Sequence, residues 1–318
     1  MPHGQEIYLF FYRFGTNGLL GIIICNIIMA IIIYKTLKIV YENNINTYKN
    51  FLDKIFLENE KLRNITNIII NIFLCATFFI MISGFGTYLS QSFGMNQIIG
   101  SSILALISYI VFLRKIESFA KINNIVIPIL ITIILIIGII NLVNLKEIDN
   151  NIYLDKSYFW ILQAILYESY NLVLLEPVLI NLKQFLKNKK QILKISIGVG
   201  TIMTILAILE FLLLTNVDIN FKNLEMPLVY VVEKSFPKFI YLYGIIILIA
   251  IFTTAVSVGI SFLNNISKNK KSFTQKAEIL CITSVIISKI SFSKLVEYLF
   301  PLFGLLGLIQ MIFILKKK

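Results

Sequence analysis

The run Tyr158–Leu182, YFWILQAILYESYNLVLLEPVLINL, constrains the chain most. It is apolar at both ends. As a helix rising about 1.5 Å per residue it is long enough to cross a hydrocarbon core about 30 Å thick. Its centre, Tyr167-Glu168-Ser169-Tyr170-Asn171, is polar, and Glu176-Pro177 follows two turns later. A carboxylate at mid-depth costs about 2.5–3.5 kcal/mol on insertion scales, so it is retained facing a partner, water or a ligand. A span with a buried polar cluster predicts a discontinuous helix, broken at 167–171, of the kind that builds midplane sites in carriers.

The rest of the chain agrees with a bilayer setting. Hydrophobic residues make up 58% and charged residues 14%, against about 45–50% and about 25% in soluble domains. The net charge of +12 comes from lysines in short loops, where they set orientation. No basic stripe interleaved with accessible aromatics is present, which excludes a nucleic-acid partner. Cys25, Cys75 and Cys281 all lie in apolar runs and read as small core hydrophobes. His3 is the sole histidine, so neither a metal centre nor a Ser/His/Asp or Cys/His catalytic set can be assembled, and no cofactor or enzyme activity is expected. Gly198-x-Gly200 follows no strand and lacks the Lys-Ser/Thr of a phosphate loop. The N-terminus has no basic region ahead of its apolar part, so it is not a signal peptide.

In order, the expected spans are Gly18–Val40, Thr66–Leu89, Gln97–Leu113, Ile125–Leu145, Tyr158–Leu182, Ile192–Leu214, Phe239–Leu263, the weaker Ala277–Ile290, and Leu295–Leu315. Tyr41–Asn64 is polar and long enough for a surface helix, and Met226–Phe236 is amphipathic. Most of the 29 basic residues fall in Lys35–Arg63, Arg114–Lys121, Lys183–Lys194, Lys268–Lys276 and the tail Lys316–Lys318. That bias puts these loops and the C-terminus on the cytoplasmic side of the membrane. Gln5–Phe14 is apolar but too short to span, and Gly15-Thr16-Asn17-Gly18 is a turn. Gln5–Phe14 is then the outer half of a helix without an inner half. The expectation is a single transmembrane domain of two repeats, 1–145 and 156–315, with the chain starting inside its first span.

His3-Gly4-Gln5-Glu6-Ile7, Phe10-Phe11 and Phe14-Gly15 resemble the end of the opening signature of the YkvI-like bacterial membrane protein family. Ser169–Val173, Glu225–Tyr230, Ile251–Ser257 and Tyr298–Gly304 resemble later segments of that family, in order. The family is similar to the amino acid–polyamine–organocation transporter superfamily. The resemblance therefore implies an all-α membrane protein with a LeuT-type 5+5 inverted repeat, here about nine transmembrane helices plus an N-terminal half-helix. It departs from the family where the Gly-rich unwound segment of the first span should precede Gly4.

Residue types and resemblance together give the candidate site. Gly4, Gln5 and Glu6 would offer helix-end backbone groups to a solute at the midplane, or else form a frayed terminus. Glu168, Ser169, Tyr170 and Asn171 would bind the solute, or else form a satisfied interhelical cluster. Thr253, Thr254 and Ser257 resemble the hydroxyls of a sodium site in carriers of this fold; the plainer reading is bonding to the backbone carbonyl one turn back. Ser83-Gly84-Phe85-Gly86-Thr87 reads as close helix packing. Glu176 is either a proton relay or an interfacial carboxylate, and Glu210 and Glu297 reach water near the outer surface. The implied function is a secondary active transporter of a small organic solute, an amino acid or related amine, coupled to sodium or protons. The alternatives are a transporter-like sensor without flux and a truncated, non-functional carrier.

Overall fold

The computed structural model describes residues 4–56, 59–114, 119–143, 158–215 and 224–317. Among these residues every regular element is helical. The order is α1 (Gln5–Phe10), α2 (Thr16–Glu42), α3 (Tyr48–Ile55), α4 (Glu60–Phe93), α5 (Gln97–Arg114), α6 (Phe119–Leu142), α7 (Phe159–Asn181), α8 (Lys189–Leu214), α9 (Pro227–Ser235), α10 (Ile240–Ile266), α11 (Lys270–Ile287) and α12 (Phe292–Lys316). Single 3-10 turns follow α1 and α7 and precede α10. Lys115 and Lys318, which belong to the basic stretches of the charge argument, and His3 lie outside the described residues.

Helix starts follow capping chemistry. Thr47, Asn59, Asn96, Asn188 and Asn269 each accept, through a side-chain oxygen, a backbone N–H in the first turn of α3, α4, α5, α8 and α11. Such a cap satisfies a donor that the helix itself leaves unbonded. Pro227 opens α9, where a missing N–H costs nothing.

Among the described residues six helices are long and apolar enough to cross a membrane: α2, α4, α5, α8, α12, and α10 with its leading turn. The remaining expected crossings are helical at the expected places. The apolar part of α6 is the shorter stretch Ile127–Leu142, α7 has its polar centre, and α11 carries Lys270, Lys271, Lys276 and Glu278. On α2 the buried residues recur at helical spacing, Ile22, Cys25, Met29, Ile32 and Thr36 among them. The opposite face exposes Leu20, Ile23, Ile27 and Ile31. A helix apolar on both its inner and outer faces belongs in lipid.

The chain divides into two compact units. One comprises Met1–Tyr8, Asn71–Glu147 and Leu212–Tyr298; the other comprises Leu9–Ile70, Ile148–Phe211 and Leu299–Lys318. Each unit draws one long segment from each half of the chain. Helix lengths follow the same division. From α2 to α6 they run 27, 8, 34, 18 and 24 residues. From α8 to α12 they run 26, 9, 27, 18 and 25.

Glycines set how closely helices approach within each unit. In the first, a Cβ on Gly86 would lie 2.3 Å from Gln97 O and Ser101 Oγ, and one on Gly100 would lie 2.9 Å from Gly86 Cα. Ser101 Oγ donates to Ile82 O at 3.1 Å across the same hairpin. This is the packing expected of the Ser83–Thr87 segment. In the second, a Cβ on Gly304 would lie 2.6 Å from Leu166 O, and one on Gly307 2.3 Å from Ser169 O. Gly304 and Gly307 therefore bring α12 onto the backbone of α7.

Two glycine substitutions should have opposite signs. Gly307→Ala forces α12 off α7 and should cost about 1–3 kcal/mol. Gly198→Ala, on α8 with open space at its Cβ position, should gain about 0.5–1 kcal/mol of helix propensity. Thermal midpoints of the detergent-solubilised variants check both.

Candidate functional site

The second unit encloses the polar centre of α7. The helix is continuous from Phe159 to Asn181, so the expected break at 167–171 is not there. The reason is local. Ser169 Oγ donates to Ile165 O at 2.7 Å, and Asn171 Nδ2 donates to Tyr167 O at 2.8 Å. Both polar side chains bond the carbonyl one turn back, so their polar groups are satisfied without the helix opening. No glycine interrupts this stretch, and Pro177 sits inside the helix without ending it. The interruption in hydropathy was not an interruption in backbone.

Glu168 is 1% exposed, and its Oε2 accepts a 3.7 Å bond from Cys25 Sγ of α2. A thiol is a weak donor, so this carboxylate is weakly matched by its protein neighbour. In the same unit, rings from α7, α12 and the end of α1 pack on one another. Tyr170 stacks on Phe300 of α12 with ring centroids 4.7 Å apart and meets Tyr167 edge-on at 5.3 Å. Phe10 and Phe11, at the end of α1, pack edge-on against Tyr167 at 5.4 and 4.9 Å. Gly15 turns the chain after them with φ 59, a region open to glycine at no steric cost. Gly18 lies where any Cβ would be 2.0 Å from Phe11 O. The Gly-Thr-Asn-Gly turn thus presses the two phenylalanines onto α7. Trp160, in the first turn of α7, lies beside Gly21 of α2 and Phe11.

Of the predicted solute ligands, Glu168, Ser169 and Tyr170 are buried together in this unit, and Asn171 is half-buried one residue on. Gly4, Gln5 and Glu6 belong to the other unit. Gly4, with φ 81, closes on Leu228 at the start of α9, and a Cβ there would be 2.6 Å from Leu228 Cγ. Gln5 and Glu6 are buried, and Gln5 Oε1 has no partner among the described residues. In the same unit Thr253 is buried and donates to Ala250 O at 3.1 Å, Thr254 is half-buried and Ser257 is exposed. Although Thr253 and Ser257 share a helix face by spacing, their surroundings differ, and the Thr253 hydroxyl is bonded to its own helix.

Two further carboxylates are more enclosed than sequence suggested. Glu210 is buried rather than reaching water, whereas Glu297 is exposed as expected. Glu176 is fully buried, and its Oε2 accepts from Tyr48 of α3 at 3.3 Å and from Gln310 Nε2 of α12. Gln310 Nε2 also donates to Tyr48 Oη at 2.8 Å. Tyr48 is half-buried with its hydroxyl turned inward. Burial pushes that phenol well above its ordinary value, so it stays a donor. Neither Tyr48 nor Gln310 was legible as a partner, since each lies far in sequence from Glu176. The free thiols Cys25, Cys75 and Cys281 form no disulfide, and no group of metal-ligating side chains gathers among the described residues.

Tyr170→Ala empties the ring space against Phe300 and should cost about 3–5 kcal/mol, whereas Tyr170→Phe keeps the stack and should cost less than about 1.5 kcal/mol. Thermal unfolding of the two variants side by side is the check.

No family model matches the chain. It is similar to the uncharacterized membrane protein YkvI of Bacillus subtilis strain 168, 26% identical over 316 residues, which cover 96% of this chain and 88% of YkvI. It is also similar to the uncharacterized protein YyaD of the same organism, 24% identical over 318 residues, covering 98% and 90%. With six helices able to cross a bilayer and a likeness to YkvI along nearly its whole length, this chain is an all-helical membrane protein.

Proposed function

We propose that this protein is a secondary active transporter of a small organic solute, an amino acid or related amine, coupled to sodium or protons. The observation that carries the reading is Glu168. It sits at the middle of α7, 1% exposed, with a thiol as its donor and with Tyr167 and Tyr170 flanking it in the sequence of the same helix. A carboxylate is costly at that depth. An ammonium group offers the strong donors that Cys25 does not, and tyrosine rings favour a cation by their quadrupole. Asn171 and Ser169 would add polar contacts once their backbone bonds are exchanged for the solute.

The parallel helix lengths of α2–α6 and α8–α12, with each unit drawing on both halves of the chain, support the two-repeat, LeuT-type architecture that this function uses. Thr253, Thr254 and Ser257 remain the proposed cation ligands. The charge bias of the loops supports a cytoplasmic C-terminus in the bacterial plasma membrane.

Proteoliposomes loaded with the protein should take up a labelled amino acid or amine from a chemically diverse panel, saturably and only under a sodium or proton gradient. Asn171→Ala should remove solute binding while leaving α7 helical, because the bond it loses is internal to the helix. Thr253→Ala with Ser257→Ala should abolish sodium dependence if sodium is the coupling ion; uptake indifferent to sodium before and after assigns coupling to protons. Stabilisation by a solute with no flux would replace the carrier with a sensor.

A further inference from the structure

The Glu176 cluster is separate from Glu168 and lies two turns along α7. On α7 the residues one turn either side of Glu176 are Leu172 and Ile180, both buried in a single apolar cluster. That cluster also contains Phe51, Leu52 and Ile55 of α3, Ile32, Ile39 and Val40 of α2, and Met311 and Ile314 of α12, with Tyr48 packed against it. Glu176 is thus one acidic step in an otherwise apolar stripe, at the place where α3 seats. Its Oε2 has two donors, Tyr48 Oη and Gln310 Nε2, and its Oε1 is fully buried with no hydrogen-bond partner.

We propose that Glu176, Tyr48 and Gln310 form a proton-binding site that holds the short helix α3 onto α7 and α12. Two neutral donors on one oxygen suit a carboxylic acid carrying its proton on the other. An anion in the same place would bring a charge with no counter-ion into an apolar cluster. The groups that face the site are few. From α3 comes Tyr48; Asp53 on the same helix is paired with Arg63 at 2.7 Å. From α12 comes the uncharged Gln310. The cluster residues of α2 are apolar, and Lys35 on that helix donates to the carbonyls of Leu315 and Lys317. On α7 itself Glu168 is bonded by Cys25. No cation among these reaches Glu176 to replace the proton.

The sign follows from linkage. The seated state of α3 keeps the proton, and the unseated state, with water at Glu176, releases it. Seating is therefore strengthened as pH falls and lost as pH rises, by at most about tenfold per pH unit for one linked proton. In a carrier this would couple proton release to freeing of α3, so the role in coupling rests on the transporter reading, whereas the proton site itself does not.

Hydrogen–deuterium exchange of the α3 peptide, measured on the whole protein in nanodiscs and corrected for intrinsic exchange, tests this across the pH range in which the protein stays folded. In the wild type, protection of Tyr48–Ile55 should fall with rising pH along a one-proton curve. Glu176→Gln, which keeps size and the accepting oxygen, should hold protection high and flat. Tyr48→Phe should lower protection several-fold at low pH while keeping the curve. Flat protection in the wild type, or an unchanged curve in Glu176→Gln, would overturn the proposal. Uptake measured in parallel separates the two ideas. A pH-dependent α3 without solute flux keeps the proton site and removes the carrier, and flux with a pH-independent α3 does the reverse.

Discussion

A carboxylate in the middle of a membrane helix has to be closed in by its neighbours, and the packing of α2 and α12 against α7 meets that demand. α2 presents Cys25 to Glu168 from a largely apolar buried stripe. α12 comes close because Gly304 and Gly307 leave no side chain between it and the carbonyls of Leu166 and Ser169. That approach puts Phe300 on Tyr170 and Gln310 on Glu176. Van der Waals contact at small residues is what holds helices together where lipid offers no hydrophobic drive.

Helix identity and place were largely legible in the sequence, because long apolar runs bounded by Asn, Thr, Gly and Lys leave few alternatives. The short α3 was visible as a surface helix within the polar stretch Tyr41–Asn64, and α9 as the amphipathic piece Met226–Phe236. Burial at single positions was harder to read. Glu210 looks interfacial by its distance from the end of α8 but is enclosed, since depth along a helix says nothing about which face it lies on. The pairing of Glu176 with Tyr48 and Gln310 had no sequence signal, as it depends on three helices converging.

The misreading of α7 has a general physical basis. Hydropathy records that Glu, Ser, Tyr and Asn dislike lipid; it does not record what their side chains do next. Ser169 and Asn171 turn back to carbonyls of their own helix, and so do Asn26, Thr132, Ser196, Thr204 and Thr283 elsewhere. In a medium without water, a short polar side chain finds its nearest acceptor one turn below. A polar cluster therefore marks a place where a helix could exchange internal bonds for a ligand, without the helix being broken beforehand.

Trp160 is the single tryptophan of the chain. It stands at the start of α7, against Gly21 and Phe11 of the same unit. Intrinsic fluorescence excited at the indole band thus originates from one location, beside the ring of Phe11 that packs on Tyr167. Emission wavelength and quenching become local readings of wetting and ring contact there, undiluted by signals from the other unit. The molecule carries its own optical probe, with no label needed at a site where a label would not fit.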